Sequence, residues 1–229
     1  VCRQLGGSLV WFLDDHSQLM MAFYGKSYRH LPVDPAQQDL CLLDEQVTQY
    51  RFGDQALLGN GEGRAYGLEL TWKRTFHKKF HALANVTLSR SGYRNAGGVW
   101  RNRISDRRYI VNLAGGYRAG RGWEFSGRWV IAGGIPYTPF DLEASTQANA
   151  GIYDQTRINK ERLAPYHSLN VTVDKKLFFS HSSLTLNVSL WNVYGHENIA
   201  NLFWNRVENR QDREKQWPFM PVLGVEYEF

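Results

Sequence analysis

The chain has 229 residues, a formal net charge of +5, 14% aromatic residues and a mean hydropathy of −0.46. No run approaches the roughly 18 apolar residues that a membrane helix needs, so any membrane span must be built from strands, whose alternating faces vanish in a hydropathy average. The Lys and Arg residues are scattered through turns and strand faces with no RNP-like, helix-turn-helix or zinc-finger pattern, which argues against a nucleic-acid partner.

The sequence opens Val1-Cys2-Arg3, with no initiating Met and no basic-then-apolar leader, so either a signal has been removed or the chain is a piece of something longer. Leu5 to Leu13 predicts a first strand, Asp14-Asp15-His16-Ser17 a tight turn, and Leu19 to Arg29 a second strand that Leu31-Pro32 ends. Residues 30–63, rich in Gly, Pro and Asp, predict a long polar connection. Alternation resumes at Arg64, with Leu68, Leu70 and Trp72 opposed to Glu69, Thr71 and Lys73. A basic turn at 76–80 leads into a strand over 81–93, where Ala82, Ala84, Val86 and Leu88 oppose Asn85, Thr87 and Ser89.

A second polar connection, 94–106, precedes a strand marked by Tyr109, Val111, Leu113 and Tyr117. After the turn at 118–122, Trp123, Phe125, Trp129 and Ile131 form one face of the next strand, against Glu124, Ser126 and Arg128. A third long connection runs over 137–164. Leu169, Val171 and Val173 then oppose Ser168, Asn170, Thr172 and Asp174, and beyond Ser180-His181-Ser182 the residues Leu184, Leu186, Val188 and Leu190 alternate with Thr185, Asn187 and Ser189. A fourth long connection, 195–216, leads into Trp217 to Phe229, where Leu223, Val225, Tyr227 and Phe229 alternate with Gly224, Glu226 and Glu228.

The connections therefore go short, long, short, long throughout, and most strands run to about 10–13 residues, near the tilted span of a bilayer and longer than usual in globular sheets. The chain thus predicts an all-β fold: an antiparallel transmembrane β-barrel segment of about nine strands, with short periplasmic turns and long extracellular loops. With a periplasmic carboxyl terminus, nine strands place Val1 outside. Bacterial single-chain barrels have even strand numbers, so the count predicts a part of a larger barrel.

Four stretches, Gly61 to Leu70, Gly134 to Phe140, Arg162 to Val171 and Leu190 to Tyr194, together with the terminal aromatic strand, resemble the last portion of the 22-stranded barrel of TonB-dependent outer-membrane receptors. The resemblance covers most of Leu19 to Phe229. Ser168 and Asn170 depart from it, since many relatives carry Arg and an acid there. It implies a bacterial outer-membrane location, lipid around the wall, and import of a scarce nutrient such as a siderophore, cobalamin, a metal chelate or a glycan. It also implies coupling to the TonB complex through an N-terminal plug-bearing part, which nothing in residues 1–229 resembles.

In that reading ligand contacts fall in the long loops, at Trp100, Arg101, Arg103, Tyr137, Asp141, Trp204, Arg206 and Arg210. Glu69, Lys73, Glu124, Arg128, Asn170, Asp174 and Asn187 face the lumen, pairing with one another or with the plug, because buried charge needs a partner. No cofactor is expected. His77 and His81 straddle a turn without an acidic third ligand, so no metal site is expected either. Cys2 and Cys41 lack metal-site spacing and either pair with each other or remain two unrelated thiols. No nucleophile elbow accompanies the Ser, His and Asp residues, so the chain is expected not to be an enzyme. Two alternatives stay open: a small complete barrel of about ten strands with a structural or adhesive role, and an outer-membrane hydrolase with a Ser-His-acid cluster at one rim.

Overall fold

A computed structural model describes residues 1–36, 57–77 and 79–229. Cys41, and with it the question of a bond to Cys2, lies outside the described residues. In chain order the elements are β1 (Cys2–Asp14), β2 (Ser17–Val33), β3 (Leu58–His77), β4 (Phe80–Arg94), β5 (Trp100–Asn102), β6 (Tyr109–Gly120), β7 (Trp123–Ala132), β8 (Pro136–Tyr137), α1 (Leu142–Ala148), β9 (Glu161–Arg162), β10 (Tyr166–Phe178), β11 (Ser183–Trp191), β12 (Ile199–Asn205), β13 (Arg210–Lys215) and β14 (Met220–Glu228). Nine of them form one antiparallel path, β1-β2-β3-β4-β6-β7-β10-β11-β14, with β5 folded back onto β4. The nine-strand antiparallel wall read from the alternation is therefore the fold. No helix among the described residues is long and apolar enough to cross a membrane.

The register explains why the alternation was so regular. Leu9 pairs with Met21, Met21 with Leu70, Leu70 with Val86 and Val86 with Val111. Farther along, Leu113 pairs with Trp129, Trp129 with Leu169, Val173 with Val188 and Val188 with Leu223. Each apolar residue thus meets another on the same face of the neighbouring strand, the arrangement in which cross-strand pairs stabilise a sheet. The resulting belt lies open: Leu5, Phe23, Leu68, Leu88, Phe125, Leu223 and Val225 are all exposed. Soluble monomers rarely show apolar patches beyond a few hundred Å². A belt running the width of the sheet is instead what a lipid-facing wall presents.

The turns at 15–16, 121–122 and 179–182 lie at one rim, and the connections 95–108, 133–165 and 192–219 at the other. At the β6–β7 turn Gly120, Arg121 and Gly122 all have positive φ (95°, 50° and 80°), and a Cβ on Gly122 would lie 2.0 Å from the Lys176 carbonyl oxygen. Only glycine fits there, because the turn is pressed against β10.

Three boundaries differ from those the sequence predicts. Pro32 does not end β2, which continues to Val33 through two register shifts beside His30, whose φ is 57°; an irregular ladder accommodates the missing N–H of a proline. β3 begins at Leu58 rather than Arg64, so Gly59, Gly61 and Gly63 are strand. A Cβ on Gly61 would stand 2.4 Å from a Val33 methyl, so what looked like loop glycine is a close approach of two strands. At the far end, Trp217-Pro218-Phe219 leads into β14 without joining it.

The long connections carry structure of their own. Residues 137–164 hold α1 and β9, and 195–216 hold the β12–β13 hairpin. The buried apolar residues among those described are Val33, Tyr93, Ala132, Phe140, Ile158 and Leu163, all at strand ends or in loops of this rim.

Candidate functional site

The polar face of the wall holds the residues expected in the lumen. Glu69 pairs across the ladder with Ala22 and Thr87, and Lys73 with Gln18 and Leu83. Glu124 sits opposite Asp174 and takes an ion pair from Arg118 at 2.9 Å. Arg128 lies opposite Asn170 and reaches the Asn112 amide oxygen at 3.4 Å. Asn187 donates to Asp174 at 2.6 Å and accepts from Ser189 at 3.1 Å, while Thr172 and Ser189 share a bond of 2.9 Å. Asn170 accepts from Ser168 at 3.1 Å and from the backbone of Asn192 at 3.0 Å, where the strand ends. Polar side chains, bonded both along a strand and across to its neighbours, thus line this face.

Near the long-loop rim the same face forms a cavity of about 500 Å³ whose lining includes Tyr24, Lys26, Tyr28, Glu69, Arg103 and Ser105. Its size falls within the range of small-ligand sites. Arg103 reaches it from the 95–108 connection, pinned by its backbone N–H to the Ser91 carbonyl at 3.2 Å.

The other loop candidates divide by what they touch. Trp100 receives the Arg64 guanidinium over its ring at 4.2 Å. Arg101 is held in β5 opposite Tyr93, and its Nη1 is buried with no hydrogen-bond partner among the described residues. Trp204 stands edge-on to Phe140 at 5.9 Å, which joins the 133–165 and 192–219 connections, and its Nε1 is likewise buried and unpartnered there. Tyr137 pairs with Glu161 in the short β8–β9 ladder. Asp141 caps α1, its carboxylate accepting from Ala144 N–H at 3.0 Å. Arg210 bonds Glu208 at 2.5 Å, and Arg206 lies in the turn between β12 and β13. Asp141 and Arg210 thus have structural partners of their own, whereas Arg101 and Trp204 each carry a buried polar atom with no hydrogen-bond partner among the described residues, and Arg103 borders the cavity. The eight are spread over three connections and do not converge on one point.

What fixes these loops is a polar network that no periodicity announces. Asp106, whose side chain is fully buried, pairs with Arg162 and accepts the Ser91 N–H at 2.6 Å. Arg162 also donates to the carbonyls of Asp106 and Gly134 at 2.6 and 3.0 Å. Asn102 and Asn159 exchange reciprocal bonds of 3.0 and 2.9 Å. Arg162 crowds Arg108 and lowers its pKa, with burial and then Arg90 adding to the effect. Burial depresses Arg107, which donates to Gly133 at 3.2 Å. The only local cue to this network was a cluster of Arg and Asp in segments that read as solvated loop.

An exposed apolar belt, a hydrogen-bonded polar face and loops sorted to one rim define a segment of an outer-membrane-type β-barrel wall. No family model and no curated protein matches the chain. Among solved structures it is similar to the ferric-catecholate import receptor Fiu of E. coli K12 in its closed form, with a TM-score of 0.62 and 12% identity; the match covers 99% of this chain and 27% of that one. The likeness is one of fold, and the chain spans about a quarter of the length of that receptor.

Proposed function

We propose that the chain forms part of the barrel wall of a TonB-dependent receptor in the bacterial outer membrane, importing a scarce nutrient: a siderophore, cobalamin, another metal chelate or a glycan. The observation that carries this reading is the 500 Å³ cavity on the polar face, open beneath the loops and bordered by Arg103, Lys26 and Glu69. It stands in a wall folded like part of an import receptor. The chain acts by binding and by shaping a passage, not by making or breaking bonds, and energy reaches it through TonB and the plug-bearing part of the protein.

The test uses the natural gene, deleted and restored, in cells limited in turn for iron supplied as ferric catecholate, for cobalamin and for oligosaccharide. Deletion should abolish growth on one of these, and Arg101→Ala with Arg103→Ala should lower that uptake at least tenfold at normal surface abundance. Unimpaired growth on the whole panel would end the import reading. Normal uptake by the double variant would remove the loop arginines from it.

A further inference from the structure

Residues 192–198 form the root from which the β12–β13 hairpin rises, and polar groups rather than an apolar core fasten them to the wall. Asn192 follows β11 with a φ of 50°, is buried, and gives its N–H to the Asn170 side chain at 3.0 Å. The Val193 N–H donates to the Leu169 carbonyl at 2.8 Å. Asn192 and His196 exchange bonds of 2.9 and 3.1 Å that close the root on itself. Asn198, also buried, exchanges two bonds of 2.9 Å with the backbone of His167 on β10. Its carbonyl accepts the Gln216 N–H at 2.8 Å, where the hairpin returns.

Two histidines sit inside this fastening, both partly buried. The imidazoles of His167 and His196 stack with centroids 3.5 Å apart and planes 22° from parallel. Nδ1 of His167 lies 2.9 Å from the Tyr194 hydroxyl, which also accepts from Trp129 Nε1 at 3.3 Å. An indole N–H can only donate, so the hydroxyl is fully used when its own hydrogen goes to Nδ1 of a neutral His167. A protonated His167 would donate to the same oxygen and leave that hydrogen without its acceptor.

Charge decides what the stack can hold. Two imidazolium ions this close repel one another, and only a counter-ion would keep both in place. Among the described residues, the charge acting on His167 is that of His196. On the β7 side its neighbours are Ile131 and Trp129, neither of them charged. His196 has an acid beside it in Glu197, but that carboxylate accepts from Lys215 Nζ at 2.7 Å and also feels Arg213. The negative charge is thus already engaged by two cations, and the stacked pair takes up at most one additional proton.

We infer that His167 and His196 form an acid-released latch on the 192–219 connection. Stacked, they hold the hairpin root against β7 and β10 while at least one ring is neutral; protonation of both frees the root from the wall. Apart, each ring is solvated by itself and titrates near its ordinary value of about 6.5. The open form therefore binds at least one proton more than the closed form, so acid favours opening, by about tenfold per pH unit below that value for a difference of one proton. The hairpin is also tied at its other end, by Trp204 to Phe140 and by Asn209 to the Thr146 carbonyl, and neither contact titrates. Release therefore frees the root and not the tip, and the connection opens as a flap hinged beside α1. The latch goes beyond the import reading, since it uses the rim alone and is indifferent to which nutrient the wall admits.

The test takes the full-length protein from its natural gene, purified in mild detergent, and follows amide exchange residue by residue at pH 7.5 and 5.5, corrected for its intrinsic pH dependence. The amides of His167 and Val193, which bond across to Asn198 and Leu169, should exchange at least about tenfold faster at pH 5.5. Those of the β12–β13 ladder, which contains neither histidine, and those of β6 should keep their rates. Glu197, whose carboxyl is held below 4.5, produces no change in this range. His196→Phe keeps a ring to stack on but no charge and should abolish the acceleration, and His167→Gln should do the same. Equal exchange of the two root amides at both pH values in wild type would overturn the inference, as would an acceleration that survives in both variants. An acceleration of β6 in step with the root would also refute it, because the wall itself would then be loosening in acid.

Discussion

The wall and the loop layer of this molecule are stabilised in opposite ways. The wall has no interior: its apolar residues face outward in Leu70–Val86 and Leu113–Trp129 pairs, and its cohesion comes from a continuous ladder of backbone bonds. The loop layer is built like a small soluble domain, with Phe140, Ile158 and Leu163 buried and Asp106 and Arg162 paired inside it. The two regions answer to different solvents. In the outer-membrane location proposed above, lipid substitutes for a core along the belt, whereas loops standing in water must bury their own apolar surface and satisfy their own polar groups.

The sharpest break in that comparison comes from Arg162→Ala. Asp106 would be left buried and uncompensated, which costs about 3–5 kcal/mol, and the loss should stay within the loop layer. Hydrogen exchange should accelerate across 133–165 while the heat-shifted electrophoretic mobility of the folded barrel is retained. If wall and loops instead melt together, they are one cooperative unit and the contrast is false.

A second substitution pair tests the wall on adjacent residues. Met21 faces the belt between Leu9 and Leu70, and Ala22 faces the polar side opposite Glu69. Met21→Arg should destabilise the protein folded in phospholipid vesicles by about 2–4 kcal/mol. Ala22→Arg, with a carboxylate across the ladder, should change it by less than about 1 kcal/mol. Similar urea midpoints for the two variants would contradict the assignment of faces.

Why the wall was legible and the loop layer was not follows from the same physics. A half-lipid, half-water strand must alternate at every position, so Leu68, Leu70 and Trp72 against Glu69, Thr71 and Lys73 declare both the strand and its two faces. The loop layer obeys no single period. Its helix is only Leu142–Ala148, and its stability depends on Asp106 meeting Arg162 across 56 positions of sequence. Gly61 shows the same limit at one residue, because the Val33 methyl that excludes any side chain there comes from a different strand. The lumen residues could be assigned to a face from parity alone, but their pairing, such as Asn187 with Asp174, depended on register. The loop candidates were chosen by residue type, and type does not separate Asp141, a helix cap, from Arg103, which borders the cavity.

A smaller effect is expected at that cap. Asp141→Ala removes the acceptor for the Ala144 N–H and should cost about 1 kcal/mol. Faster exchange confined to α1 and its neighbours would show it, and an unchanged rate would mean that packing through Asn209, whose amide donates to the Thr146 carbonyl at 3.0 Å, holds the helix without its cap.

The least costly perturbation is acid acting on the β12–β13 hairpin. Glu197 accepts from Lys215 Nζ at 2.7 Å. That bond is the chief cause holding its carboxyl below the ordinary value of 4.5, with the charges of Lys215, Arg213 and His196 assisting. Because the folded pKa is the lower one, the contact stabilises the hairpin fully above about 4.5 and is lost as pH falls through the folded value. The pair is exposed, so salt should weaken it further. Amide exchange in β12 and β13, corrected for its intrinsic pH dependence, should quicken below pH 4.5 while exchange in the central belt strands β4, β6 and β7, whose cohesion is carried by backbone bonds and apolar pairs, stays constant. Lys215→Met should bring the Glu197 titration back towards 4.5 and diminish the acid response of the hairpin, leaving the share of Asp212, whose carboxyl is held low chiefly by the Arg213 backbone N–H. A hairpin that loosens in acid equally with and without Lys215 would show that another group controls it, and an equal loosening of the belt would show that the loop layer does not titrate independently of the wall.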